Sequence, residues 1–249
     1  MDKNVKDSLL QRRSIRRYER ESISENDMAL IHEAIRNTPT SYNGQQFSVI
    51  DIDDRETKEK LYELTGQKQI KTCSRFLLFC MDYNKITRLA EAKGIVMPTF
   101  TGTMDGIIVG IVDASLAMMS AVTAAESRGL GTCCIGYART AAPEAIAELL
   151  GLPLKTFAVC GLAIGIPREL PDLKPKQPKS LVIHRNRYRN DDLTGELLDY
   201  DAAIHRYNAT RSGATSDNDW CAHIIDYYRQ AMDYTMLDTL IRHGFNITR

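Results

Sequence analysis

The chain has 249 residues, of which 43% are hydrophobic and 26% are charged, proportions typical of a globular protein. Its 32 lysines and arginines balance 32 aspartates and glutamates, so general binding to nucleic acid or to a membrane surface is not predicted. The length is sufficient for one large domain with a sizeable buried core.

The hydrophobic pattern alternates between helices and short strands along the chain. Ser24 is the expected N-cap of the second helix, with Asp27 at its third position, and Pro39 ends that helix because proline forces the preceding residue out of the α region. In chain order, the pattern predicts a helix over 3–13, a helix over 24–37, a strand over 47–52, a helix over 54–64, a strand over 76–81, a helix over 106–128, a strand over 132–135, a helix over 142–150, a strand over 156–164, and helices over 198–209, 218–230 and 234–243.

The longest apolar segment, residues 107–125, contains Asp113. A membrane span would have to pair that carboxylate, so we expect a buried helix of a soluble protein and no membrane partner. Gly129 and Gly131 are expected to end this helix. They do not form a dinucleotide-binding fingerprint, because Cys134 holds the third glycine position and the helix precedes the strand.

Four prolines between residues 167 and 178 mark the one candidate domain boundary. Only about 70 residues follow this stretch, which is small for an independent domain. We therefore expect a single α+β domain over residues 1–249, with a helical C-terminal extension over residues 190–249.

Six cysteines lie mostly in apolar stretches and form no CxxC pair, which favours reduced, buried thiols in a cytoplasmic protein. The five histidines have no metal-ligand spacing with one another or with cysteine, so no metal site is predicted. The GxSxG, HExxH and P-loop motifs are absent from the sequence, and no pair of carboxylates stands out as a catalytic acid and base.

Five arginines fall within residues 12–20, although the chain as a whole is neutral. A second basic pair, Lys174 and Lys176, lies far downstream. Arginine gives permanently charged, bidentate contacts suited to phosphate, and the carboxamides of Asn43 and Gln45 can bond ring carbonyls and ring nitrogens. Together these residues favour a phosphorylated planar cofactor. A nucleic-acid arm is disfavoured, because the cluster offers little stacking capacity.

Five short motifs, in this order and spacing, resemble the nitroreductase/flavin reductase family, and more closely its oxygen-insensitive NADPH nitroreductase and NADPH–FMN oxidoreductase subgroup. The resemblance covers nearly the whole chain. The motifs are Arg12-Arg13-Ser14-Ile15-Arg16, Ser41-Tyr42-Asn43-Gly44-Gln45, Leu64-Thr65-Gly66-Gln67-Lys68, the stretch from Gly129-Leu130-Gly131 to Ile135-Gly136-Tyr137-Ala138-Arg139, and Pro171-Asp172-Leu173-Lys174-Pro175-Lys176.

The resemblance implies FMN-contacting positions in all five motifs and a nicotinamide-binding residue further along the chain. Arg211 matches a subgroup arginine used for the NADPH phosphate. The implied FMN-contacting residues are Arg12, Arg13, Ser14, Arg16, Ser41, Asn43, Gln45, Gln67, Cys134, Ile135, Gly136, Tyr137, Lys174 and Lys176.

The resemblance also implies a nitroreductase-like three-layer sandwich, in which helices flank a mainly antiparallel central sheet, and an intertwined homodimer with one FMN per subunit at the interface. Reduced nicotinamide, NADPH or NADH, would give hydride to flavin N5 and leave, and a small-molecule acceptor would then take two electrons. Nitroaromatics, quinones and free flavin are the expected acceptors. The flavin carries this chemistry, so no catalytic side chain is expected.

Two features depart from the subgroup pattern. Arg12 stands where histidine is common, which keeps the donor capacity and adds a fixed charge. Asp217 and Asp219 follow Arg211 where relatives carry more basic residues, and their carboxylates would oppose a 2′-phosphate. The sequence therefore leaves the choice between NADPH and NADH open. It also leaves open an alternative, a flavin-binding or delivery protein with little turnover.

Overall fold

The computed structural model describes residues 4–247 and divides them into two compact units. The larger unit runs to Leu170 and resumes at Thr235, and the smaller unit is Pro171–Tyr234. The division begins inside the proline-rich stretch that the sequence marks as a candidate boundary. The single-domain organisation stays a prediction, and the two units are described separately below.

The helices and strands described by the structure alternate along the chain much as the sequence predicts. The helices are α1 (Val5–Gln11), α2 (Glu25–Arg36), α3 (Arg55–Thr65), α4 (Lys68–Thr72), α5 (Asn84–Ala92), α6 (Met104–Ser127), α7 (Pro143–Leu150), α8 (Lys179–Val182), α9 (Thr194–Thr210), α10 (Trp220–Ala231) and α11 (Met236–Arg242). The strands are β1 (Phe47–Ile52), β2 (Arg75–Asp82), β3 (Gly131–Ile135) and β4 (Thr156–Gly165).

Each predicted helix and strand forms within a few residues of its expected bounds. The first residue of the predicted helix over 3–13 lies outside the described residues. Ser24 caps α2 as expected, since its hydroxyl accepts a 3.1 Å hydrogen bond from the Asp27 amide. The sequence pattern does not predict α4, α5 and α8. All three lack a side-chain N-cap, which is one of the local signals of a helix start.

The four strands form one antiparallel sheet in the order β1-β2-β4-β3. Strand β2 is central and buried on both faces, because alternate side chains of a strand point to opposite sides. The sheet separates two hydrophobic cores, called here the first core and the second core, one on each face. The first core takes Leu77, Phe79 and Met81 from β2, and the second core takes Phe76, Leu78 and Cys80.

Helices cover both faces of this sheet. Met28 and Ile31 of α2 and the alanine face of α6 pack into the first core. Leu61 of α3, Ile70 of α4 and Ile146 of α7 pack into the second core. The larger unit therefore has three layers, and the predicted α+β sandwich with an antiparallel central sheet is confirmed.

Helix α6 is long and apolar enough to cross a membrane by length and composition alone. In the structure, one of its faces packs on β2 and β4 and half of its most apolar window is buried. Asp113 is fully buried on that face and accepts two backbone hydrogen bonds. These contacts agree with the predicted buried core helix.

Gly129 ends α6 with a left-handed φ of 76°. The Gly129 amide bonds the Glu126 carbonyl and the Leu130 amide bonds the Ala125 carbonyl, the two bonds of a Schellman cap. The prediction that Gly131 also ends this helix is wrong. Gly131 is the first residue of β3, and it is glycine there because another side chain occupies the space beside it.

That side chain belongs to Ile15, in the segment rich in arginine. A Cβ atom on Gly131 would lie 2.8–2.9 Å from three atoms of Ile15, and a Cβ on Gly165 would lie 2.7 Å from the Tyr18 ring. Gly131 and Gly165 are paired across β3 and β4. The two glycines thus form a notch in the sheet that receives Ile15 and Tyr18, each only 5% exposed.

Replacement of Gly131 by alanine tests this notch. The Ile15 side chain is branched at the atoms that would clash, so the backbone of its segment must shift, and we expect the free energy of unfolding to fall by about 1–3 kcal/mol. Urea denaturation measures the change. Gly195→Ala is the control, because no atom lies within 4 Å of its added Cβ. Equal stability of the Gly131→Ala and parent proteins would contradict the close contact.

Candidate functional site

The arginine segment, residues 12–20, runs along the sheet as an irregular edge. Ser14 forms a parallel bridge with Thr132 of β3, and the Ile15 amide donates to the Thr132 carbonyl at 2.9 Å. Further along, the Glu19 amide donates to the Ile166 carbonyl at 2.9 Å. These backbone hydrogen bonds fix the path of the segment, so the Cα positions of the residues between them are fixed as well.

The buried Tyr18 side chain stabilises the conformation of residues 15–18. Its hydroxyl donates to the Ile15 carbonyl oxygen at 2.6 Å. Burial raises the pKa of Tyr18, so the phenol stays protonated and remains a hydrogen-bond donor. The buried side chains at positions 15 and 18 leave Arg16 and Arg17 exposed between them.

Arg12 and Arg13 are partly buried and poorly satisfied. The Nε atoms of both guanidinium groups are buried and have no hydrogen-bond partner among the described residues. The only side-chain bond of Arg13 within that range runs from Nη1 to the Gln11 carbonyl at 3.1 Å. Buried donors without acceptors are costly, so these two arginines suit an anionic ligand.

Glu169 pins the backbone of the arginine segment more than it neutralises the side chains. Its Oε1 atom accepts from the amides of Arg16 at 2.7 Å and Arg17 at 3.2 Å. Its Oε2 atom lies 3.7 Å from Arg17 Nε, a long ion pair with a largely exposed guanidinium. The charge of the Arg16 side chain is therefore left for another partner.

A cavity of about 550 Å³ opens beside the arginine segment. Four cationic side chains line it: those of Arg16, Arg17, Lys68 and Arg168. Sequence reasoning missed Lys68 and Arg168 as lining residues. Lys68 directly follows the predicted Gln67, and this proximity was the one available signal. Arg168 lies beside Arg17 only in the folded chain, where the Arg168 amide donates a 3.0 Å hydrogen bond to the Arg17 carbonyl. No local sequence signal predicts this contact.

Gln67 lies at the start of α4, between two residues that line this cavity. Its Oε1 atom accepts from Gln69 Nε2 at 2.9 Å, and its own Nε2 remains available as a donor. The structure therefore brings the predicted Gln67 position and Arg16 to the same side of the larger unit.

The end of β3 contributes a second group of predicted residues near Arg12. Cys134 is exposed; desolvation raises the pKa of its thiol, and the nearby Arg12 guanidinium opposes that rise. The Ile135 side chain is buried in the second core, so only its backbone is available to a ligand. Gly136 and Tyr137 follow in a 3-10 turn, with Tyr137 partly exposed.

The remaining predicted residues of the larger unit, Ser41, Asn43 and Gln45, lie in the amide loop, residues 41–46. Three non-glycine residues of this loop have left-handed φ values: Tyr42 at 55°, Asn43 at 55° and Gln45 at 50°. Such backbone is costly outside glycine and persists only where surrounding contacts impose it.

Asp113 supplies those contacts. Its Oδ1 atom accepts from the Ser41 amide at 3.0 Å and its Oδ2 atom accepts from the Gln46 amide at 3.2 Å. The one carboxylate thus holds both ends of the amide loop. The sequence indicates Asp113 only as an interruption of an apolar helix, and no local signal predicts this role.

The arginine segment and the amide loop lie at opposite corners of the sheet. The strands that they adjoin, β3 and β1, are its two edges and are separated by about 14 Å, or three strand spacings. The two groups also differ in their position along the strands. Phe47, which follows the amide loop, lies across the sheet from Phe157 of β4, whereas Thr132, beside the arginine segment, pairs with Ile164 of the same strand. This offset adds roughly 20 Å. The predicted ligand-binding residues of the larger unit therefore form two separate groups.

The smaller unit contains Lys174, Lys176 and Arg211. Both lysines are exposed. Arg211 Nε donates to the Ala214 carbonyl at 2.6 Å, and the Ser212 amide donates to an Asp172 carboxylate oxygen at 2.6 Å. The loop that follows α9 is therefore folded around its own backbone, with the terminal nitrogens of Arg211 available as donors.

The two acidic residues of this loop differ in their surroundings. Asp219 caps α10, and its Oδ1 atom accepts from the Ala222 amide at 2.7 Å. The Asp217 side chain is 98% exposed and lies 3.5 Å from His205 Nε2. Asp219 thus has a structural role, whereas the Asp217 carboxylate is open to solvent.

All six cysteines are free, four of them buried. Burial raises the pKa values of Cys73 and Cys80 to about 12, which keeps these thiols neutral and unreactive. The expectation of buried thiols is wrong for Cys134 and Cys221, which are exposed. Within residues 4–247, no group of three or more His, Cys, Asp or Glu side chains could hold a metal ion.

Comparison with known proteins identifies the family. The model of the "Nitroreductase family" matches residues 9–166, and that of the "Nitroreductase family, C-terminal domain" matches residues 174–248. The chain is 36% identical to "FMN reductase [NAD(P)H]" of Bacillus subtilis, over 97% of this chain and 98% of the relative. It is 36% identical to "Oxygen-insensitive NADPH nitroreductase" of Salmonella typhimurium, over 85% of each.

A solved structure agrees with these sequence matches. The structure of NfrA2 from B. megaterium superposes with a TM-score of 0.93 at 34% identity, over 99% of this chain and 100% of that chain. The order and spacing of the five motifs, the antiparallel three-layer fold and these matches over nearly the full length lead to one assignment. The chain belongs to the nitroreductase family.

Proposed function

We propose that the protein is an FMN-dependent NAD(P)H oxidoreductase that passes two electrons from reduced nicotinamide to nitroaromatics, quinones or free flavin by a ping-pong mechanism. The observation that carries the proposal is the arginine segment, where buried guanidinium donors without partners are held rigidly against the sheet. Relatives that cover nearly the whole chain are named FMN reductases and an NADPH nitroreductase, which supports the same chemistry.

The residues present fit FMN in charge and in hydrogen-bonding capacity. Arg12 and Arg13 offer the unsatisfied Nε donors that a phosphate dianion accepts. Arg16 adds a guanidinium with no carboxylate partner among the described residues. Asn43 and Gln45 offer carboxamides, which can donate to ring oxygens and accept from a ring N–H group. Ser14, Ser41, Gln67, Lys174, Lys176 and the stretch from Cys134 to Tyr137 remain predicted contacts of the same cofactor.

Bound FMN would supply the redox chemistry, by taking up two electrons from the nicotinamide and releasing them to the acceptor. The protein's own groups bind, orient and stabilise charge. Arg16 would supply a fixed positive charge to bound FMN, since its guanidinium has no carboxylate partner among the described residues. Gln67 would donate a hydrogen bond to the cofactor through its free Nε2 atom.

We also propose that the enzyme is a homodimer, in which each flavin site takes the arginine segment from one subunit and the amide loop from the other. The opposite positions of these two groups on the sheet support it, because their separation exceeds the length of a three-ring flavin. A single chain cannot bring both groups to one ring system without dismantling the sheet.

The outer face of α6 supports the same assembly. Apolar side chains recur there every three or four residues, and each is at least 40% exposed: Met104, Ile108, Ile111, Val112, Leu116 and Met119. A continuous apolar face of this kind is unusual on a free surface and suits a second copy of the chain. We further propose a cytoplasmic location, since six free thiols are typical of a reducing compartment.

The visible absorption spectrum of the purified protein tests the function. We expect flavin bands that bleach rapidly under anaerobic conditions after NADPH or NADH is added, and that return when a quinone or nitroaromatic follows. Flavin bands that persist with either nicotinamide would favour the flavin-binding or delivery alternative, which the acidic loop at Asp217 motivates. A protein that takes up no FMN would rule out both functions.

Replacement of Arg16 by alanine tests the cofactor site. Loss of a charge-assisted contact is expected to weaken FMN binding by about 1–3 kcal/mol. Quenching of FMN fluorescence during titration measures the affinity. Arg20→Ala is the matched control, because Arg20 is an exposed arginine of the same segment with no predicted FMN contact. Unchanged affinity in the Arg16→Ala protein would remove Arg16 from the site.

Replacement of Asp217 by asparagine tests the basis of nicotinamide choice. The exposed carboxylate repels a 2′-phosphate only weakly through solvent, so the ratio of kcat/KM for NADPH to that for NADH should rise by about two- to fivefold. Steady-state kinetics with both donors measures the ratio. Asp226→Asn serves as control, since Asp226 pairs with Arg229 on an exposed face of α10. A ratio that does not move, or that falls, would show that Asp217 does not face the nucleotide.

A further inference from the structure

Burial of the Asp113 carboxylate in the core helix α6 carries a large desolvation free energy. The Asp113 side chain is fully buried, and its buried neighbours on α6 are small and apolar: Gly110, Ala114 and Ala117. A buried carboxylate must be compensated by hydrogen bonds or by an opposite charge. No lysine, arginine or histidine of the described residues forms an ion pair with it; its two hydrogen bonds come from the amides of Ser41 and Gln46.

Those two amides bracket the amide loop, so the hydrogen bonds constrain the loop at both ends. Between them, Tyr42, Asn43 and Gln45 all adopt left-handed backbone. The Tyr42 side chain does not impose this conformation, because the residue is 80% exposed. Thr40 adds a weaker restraint through the 3.2 Å bond from the Gln45 amide to its hydroxyl.

The left-handed conformation determines where Asn43 and Gln45 present their carboxamides. A change of φ from about +50° to the usual negative range would swing the following backbone and redirect both side chains. β1 begins directly after the loop at Phe47, and the Gln46 carbonyl accepts from the Asp82 amide at 3.0 Å. The loop is therefore tied to the rigid sheet on one side and to α6 through the carboxylate.

We propose that Asp113 is a positioning residue of the flavin site: it binds no ligand itself, and its two oxygens hold the amide loop in the conformation that presents Asn43 and Gln45 to FMN. The inference rests on the proposed function. It adds a residue, on a different element from every predicted contact, through which affinity for the ring of FMN is set.

Asp113→Asn is the variant that tests this role. The amide is nearly the same size but has one acceptor oxygen, so its nitrogen would face a backbone N–H and one end of the loop would be released. We expect the dissociation constant for FMN to rise about tenfold or more, as for loss of a hydrogen bond to a charged group. Asp105→Asn is the matched control: it removes an exposed carboxylate from the same helix and should leave FMN binding unchanged.

Two readouts separate positioning from a general loss of structure. Circular dichroism and the thermal midpoint report the fold, and amide hydrogen exchange of residues 41–46 in the FMN-free protein reports the loop. The inference expects faster exchange at Ser41 and Gln46 and weaker FMN binding in a variant that remains folded. Faster exchange with unchanged FMN affinity would overturn it. So would unchanged exchange.

A measurement on the unsubstituted protein covers the case in which Asp113→Asn does not fold. The amides of Ser41 and Gln46 should exchange more slowly than that of Tyr42, which has no acceptor among the described residues. Equal rates would overturn the inference without any variant. An unsubstituted protein that binds no FMN would overturn the proposed function and this inference together, whereas normal binding in Asp113→Asn would overturn the inference alone.

Discussion

The contact of Ile15 and Tyr18 with two paired glycines determines the geometry of the cationic segment. Five arginines in nine residues repel one another and have no intrinsic tendency to lie along a strand. Burial of two large side chains, worth about 1.5–3 kcal/mol each, offsets that repulsion. The notch at Gly131 and Gly165 makes this burial possible, because any larger residue would fill the space. The arginine side chains therefore project from a backbone that is hydrogen-bonded to β3.

Helix α6 connects the two groups of predicted ligand-binding residues. It carries two buried carboxylates, Asp113 near its middle and Glu126 near its end. Asp113 holds the amide loop at one edge of the sheet, and Glu126 accepts from the Thr132 hydroxyl at 2.7 Å at the other edge, beside the arginine segment. The outer face of the same helix is apolar and exposed. One element therefore fixes both halves of the proposed site and offers the surface on which a second copy would complete it.

The sequence predicts local elements well because their signals are local. Ser24 and Gly129 act through bonds to residues a few positions away, and alternation within β2 is visible in its own residues. Contacts across the fold leave no such signal. The sequence predicts Gly131 as a helix cap because its contact, Ile15, lies more than 100 residues away. It indicates Asp113 only as an interruption of the apolar helix because the partners of that carboxylate lie in a distant loop. The arginine segment, the lysine pair, Asn43 and Gln45 are predicted from their chemistry, and the other ligand-binding residues from the resemblance. The residues that hold these positions in place are visible only in the structure.

The distribution of ion pairs argues for an anionic ligand at the arginine segment. Elsewhere in the larger unit, two partly buried arginines are neutralised, Arg75 by Asp51 and Arg128 by Asp27. At the segment itself, Glu169 bonds two backbone amides and forms only a long ion pair with the exposed Arg17 side chain. The chain as a whole has equal numbers of acidic and basic side chains, so this local excess is not a property of composition. Unpaired, partly buried arginines lower stability unless a ligand supplies the opposite charge. In the proposed site, bound phosphate would supply that charge, so binding of FMN should stabilise the protein.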